Sequence, residues 1–324
     1  MDLLTALRAG KGRFLSGAEL ALAAGVTRAA VWKHVEELRR RGYGIEARPR
    51  LGYRLVSAPD RPCAEEVRDG LAARVFGREV IHLETTASTN DEARRLGQAG
   101  WPEGTVVAAE EQTAGRGRLG RRWSSPAGGL CFSMILRPGL ALADLGPLTI
   151  VAAAALRRAI LAETGLETSI KWPNDLMAGG RKLAGILAEA SGELGRADLV
   201  VVGIGLNVNQ ADFPRPLRGR AVSLRQLLGR EVRRVPILRA FLASFEDLYL
   251  RGRKDGFAAA LAEAAANTST LGRPVRVRAG GRLVEGVAVR LDPDGALVVA
   301  LADGGGEARI HAGEVEEAGH GGRA

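Results

Sequence analysis

The sequence has 324 residues with 46 basic against 37 acidic side chains and a net charge of +9, enough chain for two or three domains and a balance that favours polyanionic company such as nucleotides or nucleic acid. Cys63 and Cys131 stand far apart in no C-x-x-C spacing and His34, His82, His311 and His320 are scattered, so neither a zinc site nor a disulfide framework is expected. The N-terminus lacks a signal-peptide core and nowhere do about 18 apolar residues run together, which predicts a reduced, cytoplasmic protein with no membrane partner.

In chain order, residues 1–60 predict a helical unit followed by a hairpin. Ser16 and Glu19 have capping-box spacing, Gly25 marks a tight turn, and Thr27 caps a second helix that ends at Gly42. On that helix Val31, Val35 and Leu38 share one face with Trp32 beside them, leaving Arg28, Lys33, Arg39 and Arg40 to face outward. The stretch GIEARPRLGYRLV then turns at Pro49 to Gly52 and carries Arg48, Arg50 and Arg54. Eleven Lys or Arg against six Asp or Glu in residues 1–60 leave a surplus of five, more than half the net charge of the chain. A winged helix-turn-helix with a DNA phosphate footprint is predicted, its contacts drawn from Thr27, Arg28, Lys33, Arg48 and Arg50; a helical docking module with a solvated basic face is the alternative.

The segment SAPDRP reads as a linker. Over 61–268, apolar runs such as TVVAAEE, LCFSMIL and DLVVVGIGLNV alternate with helical stretches such as LTIVAAAALRRAILAETG, which predicts a mixed α/β catalytic domain. Over 269–324 the pattern changes to the short strands RPVRVRAG, RLVEGVAVRL, ALVVALAD and EARIHAGEV, predicting a small β-barrel of the SH3 type before a frayed tail, EAGHGGRA. The fold class is thus α+β.

Residues 113–123, TAGRGRLGRRW, interleave Arg116, Arg118, Arg121 and Arg122 with Gly115, Gly117 and Gly120 and close on Trp123. Four such cations repel one another, so the segment is expected to be mobile until an anion settles it. GRGRLG matches G-x-G-x-x-G literally, but a dinucleotide fingerprint needs a helix to open there, and RRWSSPAGGL follows instead. A phosphate loop of the G-x-x-x-x-G-K-[ST] kind fails because arginine replaces both the lysine and the hydroxyl residue. Glycines allowing close approach to phosphate, forked guanidinium donors and an indole face suit an adenylate. Lys171, Asn174 and Asp175 at the end of the strand TSIKW, and Lys182 heading KLAGILAEA, add charge for joining a carboxylate to the α-phosphate of ATP, where two anions approach. Asp175 is the candidate magnesium partner, with a turn-capping role as its alternative.

Taken together, STND at 88–91, EQTAGRGRLGRRW at 111–123, KWPND at 171–175, KLAGILAE at 182–189 and GIGLNVN at 203–209 resemble the biotin protein ligases, specifically the two-function type that is also a biotin operon repressor. Lipoate ligases are similar in fold but are not expected to combine this arginine-glycine loop with KWPND. The resemblance implies a two-step ligase acting on biotin and MgATP to form biotinyl-5′-AMP, then biotinylating a lysine on the biotin carboxyl carrier protein or domain of acetyl-CoA carboxylase. It implies that Ser88, Thr89, Asn90, Gln112, Gly115, Arg116, Arg118, Lys182, Gly185, Gly203 and Gly205 bind biotin, the glycines by permitting close strand approach. Ser88 and Thr89 have a further expected role as N-caps of a helix beginning at Asp91. Arg118, Arg121, Trp123, Lys171, Asn174, Asn207, Ala221 and Val222 fall to ATP and the adenylate, Lys182 and Arg118 to catalysis, and Asp175 to Mg2+. For the first domain it implies operator DNA bound by a ligand-promoted homodimer; a regulator that senses its ligand without turnover is the competing class.

Overall fold

The computed structural model describes residues 2–192 and 195–317. The chain divides into two compact units, Met1–Arg61 and Pro62–Ala324. The predicted tail, with His320, lies outside the described residues from position 318 onward.

The first unit comprises α1 (Leu3–Ala9), α2 (Gly17–Ala24), α3 (Arg28–Arg40) and a hairpin of β1 (Gly44–Arg48) and β2 (Gly52–Ser57). Its start and stop signals act as the sequence requires. The Ser16 hydroxyl accepts from the Glu19 N–H while the Glu19 carboxylate accepts from the Ser16 N–H at 2.7 Å, closing a capping box. Gly25 takes the left-handed conformation at φ 66° that ends α2. Val31, Val35 and Leu38 face inward onto Leu3, Leu7 and Leu20 of the first two helices. The predicted helix-turn-helix and wing are both present, preceded by α1.

The second unit runs α4 (Ala64–Arg68), β3 (Val80–Thr86), α5 (Thr89–Gln98), β4 (Val106–Gln112), β5 (Leu130–Leu136), α6 (Gly146–Thr164), β6 (Ser169–Lys171), β7 (Asp175–Ala178), β8 (Arg181–Ser191), β9 (Leu199–Leu206), α7 (Leu224–Leu228), α8 (Arg234–Asp255), α9 (Ala258–Ala266), β10 (Pro274–Ala279), β11 (Arg282–Leu291), β12 (Leu297–Leu301), β13 (Glu307–Ile310) and β14 (Glu314–Glu317). Strands β3 to β9 form one sheet of order β3-β4-β5-β9-β8-β7-β6, in which only the β3–β4 pairing is parallel.

Alternation along these strands decides where the site lies. Val106 and Ala108 of β4, Phe132 and Met134 of β5, and Val202 and Ile204 of β9 point to one face and join α6 and α8 in the main core. Helix α6 is apolar nearly all round because it is covered on one side by the sheet and on the other by α8 and α9. Val107, Ile135, Leu199 and Val201 point to the other face, where Ala93 and Leu96 of α5 cover them. Toward the first turn of α5 that second face continues as Ser133, Gly203 and Gly205, which give it no apolar bulk.

The C-terminal strands form a five-stranded antiparallel sheet of order β13-β12-β11-β10-β14, the expected final strand being divided into β13 and β14. Val275, Val277, Leu297, Val299 and Val315 belong to the same apolar core as the larger sheet, and the Trp172 indole N–H donates to the Gly295 carbonyl at 3.0 Å. No helix among the described residues is long and apolar enough to cross a membrane.

Candidate functional site

Strand β8 is irregular at its start, and the irregularity aims a lysine. In its pairing with β7, Leu176 opposes Ala184 but Met177 opposes Lys182, so Leu183 is an extra residue. Leu183 and Ala184 are consecutive yet both lie in the main core, which reverses the alternation and turns Lys182 to the face that carries Gly185. The backbone freed by the bulge is taken up elsewhere. The Lys182 N–H donates to the Arg220 carbonyl at 2.8 Å, the Val222 N–H to the Lys182 carbonyl at 3.0 Å, and the Asn207 N–H to the Leu183 carbonyl at 3.0 Å. Ala221 and Val222 thereby meet the site through their backbone, beside Lys182. The Lys182 ammonium lies 2.7 Å from Asp175 Oδ1 and 5.6 Å from the centre of the Trp123 ring. Asp175 is therefore not a residue capping the turn after Pro173: it opens β7, and its partner in this structure is Lys182.

The glycines serve a different purpose from the close strand approach expected of them. Gly185 and Gly205 oppose each other on β8 and β9. A Cβ on Gly205 would enter the Trp123 indole far inside van der Waals distance, and one on Gly185 would sit 3.2 Å from the ring and 3.3 Å from Lys182 Cε. A Cβ on Gly203 would collide with the Asn90 amide. These three positions lack side chains so that an indole and an amide can lie flat on the sheet. Gly115 is constrained by the loop itself, since a Cβ there would lie 2.7 Å from the Trp123 carbonyl.

Thr89 and Asn90 converge on Ser133, a fully buried hydroxyl of β5 that motif reading overlooked, and Gln112 joins them through Thr89. The Thr89 N–H donates to Gln112 Oε1 at 2.8 Å, Ser133 Oγ lies 2.7 Å from Thr89 Oγ1 and 2.6 Å from Asn90 Oδ1, and the Asn90 amide donates to Glu189 at 2.6 Å. The Thr89 hydroxyl donates to Gln112 Oε1 at 3.1 Å and the single Ser133 proton is shared between Thr89 Oγ1 and Asn90 Oδ1, so one network joins Gln112, Thr89, Ser133 and Asn90. Gln112 Nε2 completes it by donating to Ser125 Oγ at 2.7 Å. Helix α5 begins at Thr89 rather than Asp91, and Ser88, its N-cap residue, makes no side-chain capping bond although it is buried. The expected N-cap role of Ser88 and Thr89 therefore gives way to this inward network.

The repulsion among the loop arginines is answered inside the protein. Arg116 forks onto Asp91 at 2.5 and 2.6 Å with Glu189 at 3.4 Å, Arg118 donates to Asn174 Oδ1 at 3.0 Å, and Arg121 reaches Glu314 on β14 at 2.5 Å. The hydrogen bond from Arg116 holds the Asp91 carboxyl below its ordinary range, whereas burial lowers the pKa of Arg118, whose partner is a neutral amide. Backbone bonds from Trp123 to Gly115 and from Gly117 to Arg121 fold the segment back on itself, and no α-helix opens at Gly120. A cleft of 230 Å³ beside Arg118 and Asn174 is walled by Leu187 of β8, Gly146 of α6, and Gly295 and His311 of the C-terminal sheet. Lys171 ends β6 opposite Asp175 in register. Asn207 points its amide toward the Lys182 carbonyl at 3.5 Å.

In the first unit the DNA candidates separate by their partners. Thr27 caps α3, accepting from the Ala30 N–H at 3.3 Å. Arg48 pairs with Glu46 at 2.6 Å and lies over the Phe14 ring at 5.2 Å, with its side chain still 56% exposed. Arg28, Lys33 and Arg50 are exposed and have no ion-pair partner among the described residues.

Residues 82–207 match the biotin/lipoate A/B protein ligase family, residues 1–54 an HTH domain, and residues 270–322 the biotin protein ligase C-terminal domain. The chain is 39% identical over 306 residues to the bifunctional ligase/repressor BirA of Bacillus spizizenii, covering 94% of each. This chain belongs to the bifunctional biotin protein ligases. It is also 31% identical to the BirA of Escherichia coli over 89% of this ligase and 88% of that protein. Among solved structures, the biotin protein ligase from Aquifex aeolicus in complex with biotin and ATP superposes with a TM-score of 0.65 at 30% identity, covering 74% of this ligase and 98% of that chain.

Four polar residues of the ligase site were not singled out from sequence: Ser133, Ser125, Glu189 and Asp91. Ser133 had a legible signal, a lone hydroxyl inside the apolar run LCFSMIL at an inward position. Asp91 and Glu189 close the motifs STND and KLAGILAE, but their role was not legible there, because it comes from Arg116 being carried to them by the fold.

Proposed function

We propose that this biotin protein ligase activates biotin with ATP and transfers it to a lysine of a biotin carboxyl carrier domain, such as that of acetyl-CoA carboxylase. A biotin carboxylate oxygen attacks the α-phosphorus, the bond to the β-phosphate oxygen breaks, and pyrophosphate leaves. A carrier lysine amine then attacks the acyl carbon and AMP departs. The observation that carries this reading is the bulge that turns Lys182 onto the face shared with Gly185 and Trp123.

Lys182 and Arg118 are assigned to the carboxylate and α-phosphate, where negative charge gathers as the two anions meet. Thr89 and Asn90, ordered by Ser133, and Gln112, held by Ser125, are assigned to the ureido ring, whose carbonyl and two N–H groups each need a partner when buried. Ser88, Gly115 and Arg116 line the same side. Trp123, with Asn207 and the Ala221–Val222 backbone, is assigned to the adenine, and Arg121, Lys171 and Asn174 to the phosphates. The described residues contain no cluster of three or more His, Cys, Asp or Glu that would hold a metal by themselves. Mg2+ would be held by substrate phosphates with Asp175 as the candidate carboxylate, and the ion would neutralise phosphate charge.

The HTH unit supports a second role, operator binding by a ligand-promoted homodimer, with Arg28, Lys33 and Arg50 on phosphates. The test of the ligase is biotin-dependent exchange of labelled pyrophosphate into ATP, with lipoate as control. Exchange with lipoate alone would assign the chain to the lipoate ligases, and exchange with neither would leave a ligand-sensing regulator. Cytoplasmic location is part of this reading.

A further inference from the structure

Helix α3 carries an aromatic side chain that its own unit does not bury. Trp32 is 59% exposed although it sits between Val31 and Val35, both fully packed. With 3.6 residues per turn it shares a surface with Arg28 and Ala29, four and three residues before it, and adjoins Lys33; all four are exposed. The rest of the helix surface is electrostatically spent. Arg39 pairs with Glu36 at 2.7 Å and donates to the Ile45 carbonyl, and Arg40 pairs with Glu37. Arg28 and Lys33 keep their charge with no ion-pair partner among the described residues. The first two turns of α3 thus present an apolar pair, Ala29 and Trp32, framed by two uncommitted cations.

That surface complements a duplex major groove more specifically than phosphate attraction requires. Cations at the frame hold the helix against the two backbones, which carries no sequence information. Across the groove floor the thymine C5-methyl is the apolar group a base pair offers, and it distinguishes T·A from every other pair. A donor-poor surface of one methyl and one indole has little else to read.

We propose that Ala29 and Trp32 form the apolar reading surface of the recognition helix and contact thymine methyls in the operator. This rests on the operator-binding role above. Arg28 and Lys33 then supply affinity, and Trp32 supplies choice of sequence.

The test begins with selection of a random-sequence duplex library by the full-length chain with biotin and ATP. The most enriched duplex is then synthesised with each thymine replaced singly by deoxyuridine, which removes the methyl and leaves pairing unchanged. The wild-type chain is expected to lose about fourfold in affinity at one or two positions per half-site, the worth of one buried methyl. Trp32→Ala is expected to lose the penalty at the positions the indole reads, keeping at most the one read by Ala29, with unchanged salt dependence, whereas Lys33→Ala should bind more weakly everywhere and retain every deoxyuridine penalty. Uniform affinity of the wild-type chain across the deoxyuridine series overturns the proposal while leaving operator binding intact, and it needs no variant. Penalties that persist unchanged in Trp32→Ala overturn it equally. Failure of the wild-type chain to enrich any sequence removes the operator-binding role itself, and this proposal with it.

Discussion

The Val222 N–H donates to the Lys182 carbonyl at 3.0 Å, fixing the backbone of a lysine that a strand bulge has already turned toward Trp123. The side chain is held by Asp175 and remains 35% exposed, so its charge is available to a ligand and its removal leaves no cavity. Lys182→Ala is expected to lower biotin-dependent pyrophosphate exchange about 10²–10³-fold, with a thermal midpoint close to that of the parent. Exchange within a few-fold of the parent would remove Lys182 from the chemistry.

Arg118 is the loop cation held by burial rather than by a carboxylate, since Asn174 is its hydrogen-bond partner. Arg118→Gly should loosen the site around the adenylate without stopping its formation. Biotinyl-AMP should then escape and label bystander lysines, measured as biotin on an added unrelated protein. Unchanged carrier selectivity would count against the assignment.

Gly205 has no room for a methyl because the Trp123 indole occupies the space. Gly205→Ala should displace the ring and raise the KM for ATP about tenfold, the kinetic equivalent of modest overpacking, while the KM for biotin changes less. Tryptophan emission in the two proteins checks the displacement directly.

Ser133 links Thr89 to Asn90 in a fully buried network. Ser133→Ala leaves the Asn90 carbonyl without its donor, a loss of about 1–3 kcal/mol. It should appear in biotin affinity by titration calorimetry, with kcat at saturating biotin nearly unchanged. An equal fall in kcat with unaltered affinity would place Ser133 elsewhere in the mechanism.

Glu110, two residues before Gln112 in β4, joins His82 at 3.0 Å and Arg234 at 2.6 Å. Burial would raise its carboxyl, but the hydrogen bonds from His82 and Arg234 outweigh burial and hold it at about 2, against an ordinary 4.5. A depressed carboxylate stabilises the fold fully above its unfolded value and loses that contribution as pH falls toward the folded one. The stability of the parent should therefore drop between pH 4.5 and about 2. Glu110→Gln should be less stable by on the order of 2–3 kcal/mol at neutral pH and show a flatter acid limb in chemical denaturation.

Much of the architecture was legible because local chemistry and tertiary structure agree. The Ser16–Glu19 capping box, Gly25 and Thr27 define their helices by bonds within four residues, and such bonds are written in consecutive letters. The motifs around Gln112, Lys182 and Gly203 were likewise readable as a ligand site. The reasons for the individual residues were not. The glycines at 185, 203 and 205 looked like strand spacers until the fold laid Trp123 and Asn90 over them, and the pairing of Arg48 with Glu46 was not legible either.

By itself the sequence determined which segments become helix, strand and wing, and which cations and glycines gather in one loop, since capping, periodicity and turn chemistry act over a few residues. Only the tertiary structure decided which way Lys182 points, that Ser133 orders the Thr89–Asn90 pair, and that Asp91 and Glu189 neutralise Arg116 and Glu314 neutralises Arg121. Those outcomes depend on strand register and on partners up to 193 residues apart, as for Arg121 and Glu314. One extra residue in a strand reverses a side chain, and no local rule in the sequence records it.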